Sequence, residues 1–294
     1  MSSRNPDQEY SRRDLLRAGI AVATLGLGRP AAAKAMEPRE ALKPVVDQFR
    51  VGLQSYSLRG FTSDGKPDLK KALSVTRDLG IRFWEAYPAH IPVTLDRSAL
   101  RMVQDQLEAH QVRVIGFGVV HLGMDEAENR RIFTFARELG IGYLSADPDP
   151  GAFDLLDRLV EEYGLPVGIH NHGPGHRYDT IDRIAAAIRD HHPKIGCCID
   201  TGHFLRSRED PVRAAEVFGT RVYGVHLKDV KNAETFTVLG QGDLRTTDFL
   251  KTLAAHRYDH CLAIEYEENP EDPRAEIQEC LQELKRAAAP LTVD

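Results

Sequence analysis

Cysteine is scarce, with four in 294 residues, and Cys197 and Cys198 are neighbours whose side chains would point to opposite faces of a strand. A disulfide scaffold is excluded, and the thiols read as buried filler. Surplus positive charge is also missing: 38 Lys plus Arg stand against 44 Asp plus Glu, a formal charge of -6, which opposes a nucleic-acid partner. No apolar run approaches the ~20 residues that span a bilayer, so no stable membrane anchor is expected. What is present, 42% hydrophobic and 28% charged residues, excludes a disordered or collagen-like chain and allows one large α/β domain or two smaller ones.

Residues 1–35 read as an export signal. Arg4, Arg12, Arg13 and Arg17 precede small apolar residues from Ala18 to Gly28, and Ala31 to Ala35 offer the small side chains a signal peptidase accepts. Ser11-Arg12-Arg13-Asp14-Leu15-Leu16 resembles the twin-arginine signal, with Arg17 in place of its final Lys. The resemblance implies a periplasmic protein exported already folded by the twin-arginine machinery, so a metal can be selected before the chain meets Zn or Cu outside. Removing the segment takes away six basic and three acidic residues, which turns -6 into -9 and makes an anionic partner less suitable still.

Beyond a charged linker (36–49), β-branched or aromatic runs alternate with segments of helical apolar spacing. The predicted strands are Val51 to Ser57, Arg82 to Tyr87, Arg113 to Val120, Gly142 to Ala146, Pro166 to His170, Ile195 to Asp200, Val222 to His226 and Cys261 to Glu265. Helices are expected between them, several stopping at Gly80, Gly140 or Gly164. Eight βα units predict a single-domain (β/α)8 TIM barrel over 50–288 with a C-terminal tail at 289–294. A doubly wound sheet would call for a GxGxxG after the first strand, and none is there.

The active site of such a barrel lies at the C-terminal ends of its strands, where ligand-type residues collect. Glu85 ends strand two and is followed by His90; His121 and Asp147 follow strands three and four. The second half is richer, with Ile169-His170-Asn171-His172, Ile199-Asp200-Thr201-Gly202-His203, Val225-His226-Leu227-Lys228-Asp229 and Ile264-Glu265-Tyr266-Glu267. His170, Asp200, His226 and Glu265 emerge from four consecutive strands into one opening, and their mixed nitrogen and oxygen donors suit one divalent Mn, Co, Fe or Zn.

Asp200-Thr-Gly-His203, His226-Leu-Lys-Asp229, Gly240-Gln-Gly242-Asp243 and Glu265 resemble the xylose-isomerase-like sugar phosphate isomerase/epimerase family over residues 50–288. That family includes keto-sugar 3-epimerases, inosose dehydratase and endonuclease IV. The resemblance implies a divalent metal held by Glu, Asp, His and Glu on strands five to eight. Asp200, His226 and Glu265 match that pattern, while His170, in an H-N-H version of strand five resembling a subgroup, stands where a Glu is expected. A metal-bound imidazole is a poor base, so this departure removes one of the two opposed carboxylates that epimerases of the family are thought to use.

The expected chemistry is proton abstraction next to a carbonyl of a small carbohydrate through a metal-stabilised enediolate, with isomerase or epimerase first. A keto-sugar or cyclitol lyase or dehydratase and a non-catalytic carbohydrate-binding barrel are the alternatives; an endonuclease-like hydrolase is opposed by charge. Glu265 is the first candidate base, with Glu85, Glu267 and His172 as alternatives, and Lys228 would steady developing charge or pair with Asp229. His203, Arg206, His90 and Glu267 are candidate substrate contacts; Arg206 is placed in a loop after strand six. Gly240 and Gly242 would let backbone approach a ligand, and Trp84 offers either a sugar-stacking face or core. Homo-oligomerisation is left open.

Overall fold

A computed structural model describes residues 49–291. The export signal, nearly all of the linker and the last three residues of the tail lie outside the described residues. Eight parallel strands close into a barrel in the order β1–β8–β7–β6–β5–β4–β3–β2. They are β1 (Arg50–Gln54), β2 (Phe83–Ala86), β3 (Arg113–Leu122), β4 (Leu144–Pro148), β5 (Val167–His170), β6 (Ile195–Asp200), β7 (Val222–Leu227) and β8 (Cys261–Ile264). Every residue of β5, β6 and β8 is buried, because helices cover the outside and side chains fill the inside.

Around the barrel run α1 (Leu69–Asp78), α2 (Arg97–His110), α3 (Glu126–Glu138), α4 (Phe153–Tyr163), α5 (Ile181–Ile188), α6 (Thr201–Arg206), α7 (Pro211–Phe218), α8 (Thr246–Ala255) and α9 (Arg274–Ala288). Asp68, Asp96, Asp125 and Asp210 cap the first free amides of α1, α2, α3 and α7, and Pro211 occupies the first turn of α7. Gly164 ends α4 in the left-handed region at φ 67°. Among the described residues no helix is long and apolar enough to cross a membrane.

The barrel interior is plugged by Tyr143, which is fully buried just before β4. A Cβ at Gly116 or Gly224 would run into its ring, so glycine at these two places on β3 and β7 makes room for the plug. The plug's hydroxyl points upward to Glu85 at 2.5 Å, which connects the packed floor to the polar layer above it.

Local corrections follow from side-chain demands. The first strand ends at Gln54, whose side chain caps the 3-10 turn Ser55–Leu58. The third runs on to Leu122, so His121 lies within it. Arg206, expected in a loop, ends α6. Trp84 is core, fully buried with its indole N–H on Thr76 Oγ1 at 2.9 Å. Gly240 and Gly242 serve Asp229: their amides donate to its Oδ2 at 2.9 and 3.0 Å, and a Cβ at Gly242 would strike that carboxylate.

Candidate metal centre and active site

Four strand ends bring His170, Asp200, His226 and Glu265 together, with one ligand atom from each within 4.8 Å of the others, and all four are buried. Asp200 serves two purposes. Its Oδ1 caps α6 by accepting the His203 amide at 2.8 Å, leaving Oδ2 for the cluster. Asn171 clamps the same residue from β5, accepting the Asp200 N–H at 2.8 Å and donating to its carbonyl at 2.9 Å. Thr201 does the same for β7, taking the Lys228 N–H at 2.9 Å and donating to the Lys228 carbonyl at 2.6 Å. A Cβ at Gly202 would meet the Lys228 stem at 2.8 Å, which accounts for the small residue in Asp-Thr-Gly-His.

His226 is held from below. Its Nε2 is 2.7 Å from Glu85 Oε1, and its Nδ1 faces His170 Nε2 at 3.0 Å and Glu265 Oε2 at 2.9 Å. Glu85 is also the acceptor for Gln54 Nε2 at 3.0 Å, the Tyr143 hydroxyl and the Ser145 hydroxyl. Burial alone would favour a neutral Glu85, but His226, Ser145 and Tyr143 hold its pKa below the usual value. Burial likewise opposes an imidazolium at His226, yet Cys198, Glu85 and Glu265 raise its pKa well above the ordinary range.

Lys228 occupies the centre of the acidic wall. Its Nζ is 2.8 Å from Asp200 Oδ2 and 3.1 Å from Glu265 Oε2, and it donates to Glu267. Against the cost of burial, this ammonium and His226 lower the Glu265 pKa to about 2, and His203, Lys228 and His170 lower that of Asp200. Burial lowers the pKa values of His170, His172 and His203 to about 4, so all three are neutral imidazoles at pH 7.

The residues fit a divalent ion. The buried oxygens Asp200 Oδ2 and Glu265 Oε2 converge with the ring nitrogens His170 Nε2, 3.3 Å from Asp200, and His226 Nδ1, 2.9 Å from Glu265, and Lys228 supplies the positive charge that both carboxylates face. Two carboxylates and two imidazoles make a donor set of the kind that takes Mn, Co, Fe or Zn.

A family model described as the xylose isomerase-like TIM barrel matches residues 73–286. The chain belongs to that family. An inosose dehydratase of Clostridium botulinum (strain Alaska E43 / Type E3) is 28% identical over 135 residues, covering 39% of this chain and 45% of that protein. The chain thus spans about half the length of the curated relatives it matches. A crystal structure of an uncharacterised protein from Parabacteroides distasonis superposes with a TM-score of 0.63 at 25% identity, covering 81% of this chain and 99% of that one. A D-allulose 3-epimerase from Methylomonas sp. shares the fold, with a TM-score of 0.63 at 15% identity over 81% of this chain and 97% of that one.

In this xylose isomerase-like barrel His170 and Glu265 of the donor set border a cavity of about 280 Å³, with Asp200 and His226 buried behind them. Glu265, Glu267 and Lys228 form one part of its wall, His172 and His203 another, and Tyr56 and Tyr87 a third. Other candidates lie elsewhere. Glu85 is fully buried beneath His226, so it braces a ring and is out of reach of a substrate proton. His90 is packed away, with Nδ1 on Ser55 Oγ at 3.1 Å and its ring against Trp84 and Tyr87, and does not line the cavity. Arg206 stands behind the wall, 3.3 Å from His203 Nδ1 and over the Phe236 ring. Lys228 ignores Asp229, whose oxygens take the amides of Val230, Gly240, Gly242 and Leu244.

Sequence reasoning missed Gln54, Tyr56, Tyr87, Tyr143 and Ser145. Applying the strand-end rule to the first strand would have reached Gln54. Tyr143 carried no local signal, because its role depends on glycines and a carboxylate from three other strands.

Proposed function

We propose that this barrel removes a proton next to the carbonyl of a keto-cyclitol or keto-sugar and expels a β-hydroxyl as water, a dehydratase reaction with divalent-ion assistance. The observation that carries the reading is that the two carboxylates lining the cavity, Glu265 and Glu267, both pair with Lys228, whereas His170, His172 and His203 contribute imidazoles to the same lining. A divalent ion in the donor set would polarise the ketone and make the neighbouring C–H more acidic.

Glu265 is ionised at neutral pH and takes that proton. Its depressed pKa makes it a modest base, so an acidified C–H is what it can handle. The C–H electrons form the new C=C bond as the β C–O bond breaks, and the departing hydroxide takes up the proton that Glu265 accepted, so that water leaves and the carboxylate is restored. Lys228, held by three carboxylates, keeps a positive charge beside the negative charge that builds on the substrate. Tyr56 and Tyr87, whose rings meet edge to face at 5.0 Å, give the cavity an aromatic flank suited to the C–H face of a polyhydroxylated ring. The stretch of similarity to inosose dehydratases supports this substrate class.

A second reading is epimerisation, favoured by His172 facing the same cavity from the imidazole side. Incubating inososes and 3-keto-sugars with metal-loaded protein in deuterium oxide separates the two by NMR. Dehydration predicts an unsaturated ketone and water; deuterium at the α-carbon with every hydroxyl retained would overturn it in favour of epimerisation.

A further inference from the structure

A second cluster of ligand-type side chains stands beside the first and shares no residue with it. Asp147 at the end of β4, with His172 and His176 beyond β5, brings ligand atoms within 4.8 Å of one another. The His172 ring lies 4.6 Å from that of His170 and 4.3 Å from that of His176, centroid to centroid. The cluster therefore adjoins the cavity on its imidazole side, at a partly exposed rim.

These groups are gathered but scarcely bonded. Asp147 Oδ1 is buried and, among the described residues, has no hydrogen-bond partner. Its Oδ2 is 3.5 Å from His176 Nε2, and Arg177 Nε is 3.5 Å from Oδ1, both too long for a good hydrogen bond. Arg177 is committed to Asp149 at 2.9 Å, and His121 approaches the same Asp149 oxygen at 3.1 Å. The carboxylate of Asp147 thus keeps Oδ1 without a hydrogen bond and Oδ2 beside the His176 ring, next to which the His172 ring packs.

We propose that Asp147, His172 and His176 form a second divalent-cation site, built for a borderline transition ion such as Zn²⁺ or Co²⁺. One carboxylate and two imidazoles are a sufficient protein ligand set for such an ion and leave positions for water; Mg²⁺ and Ca²⁺, which favour oxygen, are selected against. The cost is small: ligation through His176 Nε2 moves the proton to Nδ1 and releases a 3.3 Å contact from the Tyr178 amide. Gly173 and Gly175 flank the loop that has to adjust, and Gly175 already sits at φ 91°. Ligation also removes His172 from proton transfer, so this site and the epimerase reading compete for one ring.

The test is metal stoichiometry of the metal-free protein titrated calorimetrically with Zn²⁺ and with Co²⁺. The expected result is two ions per chain, falling to one in Asp147→Asn and in His176→Gln. The Asp200→Asn variant should retain the rim ion while losing the inner one, so failure at the rim is distinguishable from failure of the proposed active site. A single ion per wild-type chain that persists in the Asp147→Asn/His176→Gln double variant, or two ions in that double variant, overturns the proposal.

Discussion

Glu85 Oε1 lies 2.7 Å from His226 Nε2 while His226 Nδ1 faces Glu265 at 2.9 Å on the other side of the ring. A carboxylate behind an imidazole holds a proton on the nitrogen that faces it and aims the other nitrogen at the donor set, where an ion would displace the proton that His226 Nδ1 presents to Glu265. Glu85→Gln should weaken divalent binding by roughly 10- to 100-fold while the barrel stays folded. Chelator competition measures it; unchanged affinity would mean that other contacts orient the ring.

Lys228 neutralises a wall of three carboxylates from a buried position. Lys228→Met leaves them facing one another and should cost on the order of 3–5 kcal/mol in the metal-free protein. An added divalent ion replaces part of the lost positive charge, so Mn²⁺ should stabilise the variant more than the wild type in urea unfolding. Equal stabilisation of both would contradict this view of the wall.

Asp229 collects four backbone amides and so pins the Gly240–Gly242 turn to the start of a small antiparallel hairpin in which Asp229–Lys231 pairs with Thr235–Thr237. Asn in its place presents a donor to two of those N–H groups, at an expected cost of about 1–3 kcal/mol. Hydrogen exchange should rise across residues 238–244, with metal affinity at the inner donor set preserved.

His90 gives the stability a predictable acid limb. Burial lowers its pKa to about 4 from an ordinary 6.5, so the unfolded chain takes up the proton first. Stability from this residue is complete above pH 6.5 and is lost as pH falls toward 4, by on the order of 3 kcal/mol at most. His90→Gln should flatten that part of the urea-midpoint profile; an unaltered slope would assign the acid sensitivity to other groups.

The barrel was legible because each strand is a short apolar run bounded by helix caps, and because parallel strands covered on both faces must be apolar throughout. The four inner donors were legible for the same reason: a polar residue at the end of such a run has only the barrel mouth to occupy. Glu85 obeys that rule in sequence but sits one layer lower, where Tyr143, Ser145 and Gln54 satisfy it. His90 lies past the end of its strand, and its direction was set by the Ser55 hydroxyl, a partner 35 residues away. Lys228 depended on three carboxylates from two other strands, a distribution that adjacency to Asp229 could not reveal.

Anomalous diffraction from crystals grown with Co²⁺ tests the central claim most directly. The account predicts a peak bonded to His170, Asp200, His226 and Glu265 together, at about 2.0–2.2 Å from each donor atom. Well-ordered crystals with no cobalt among those four side chains would contradict it.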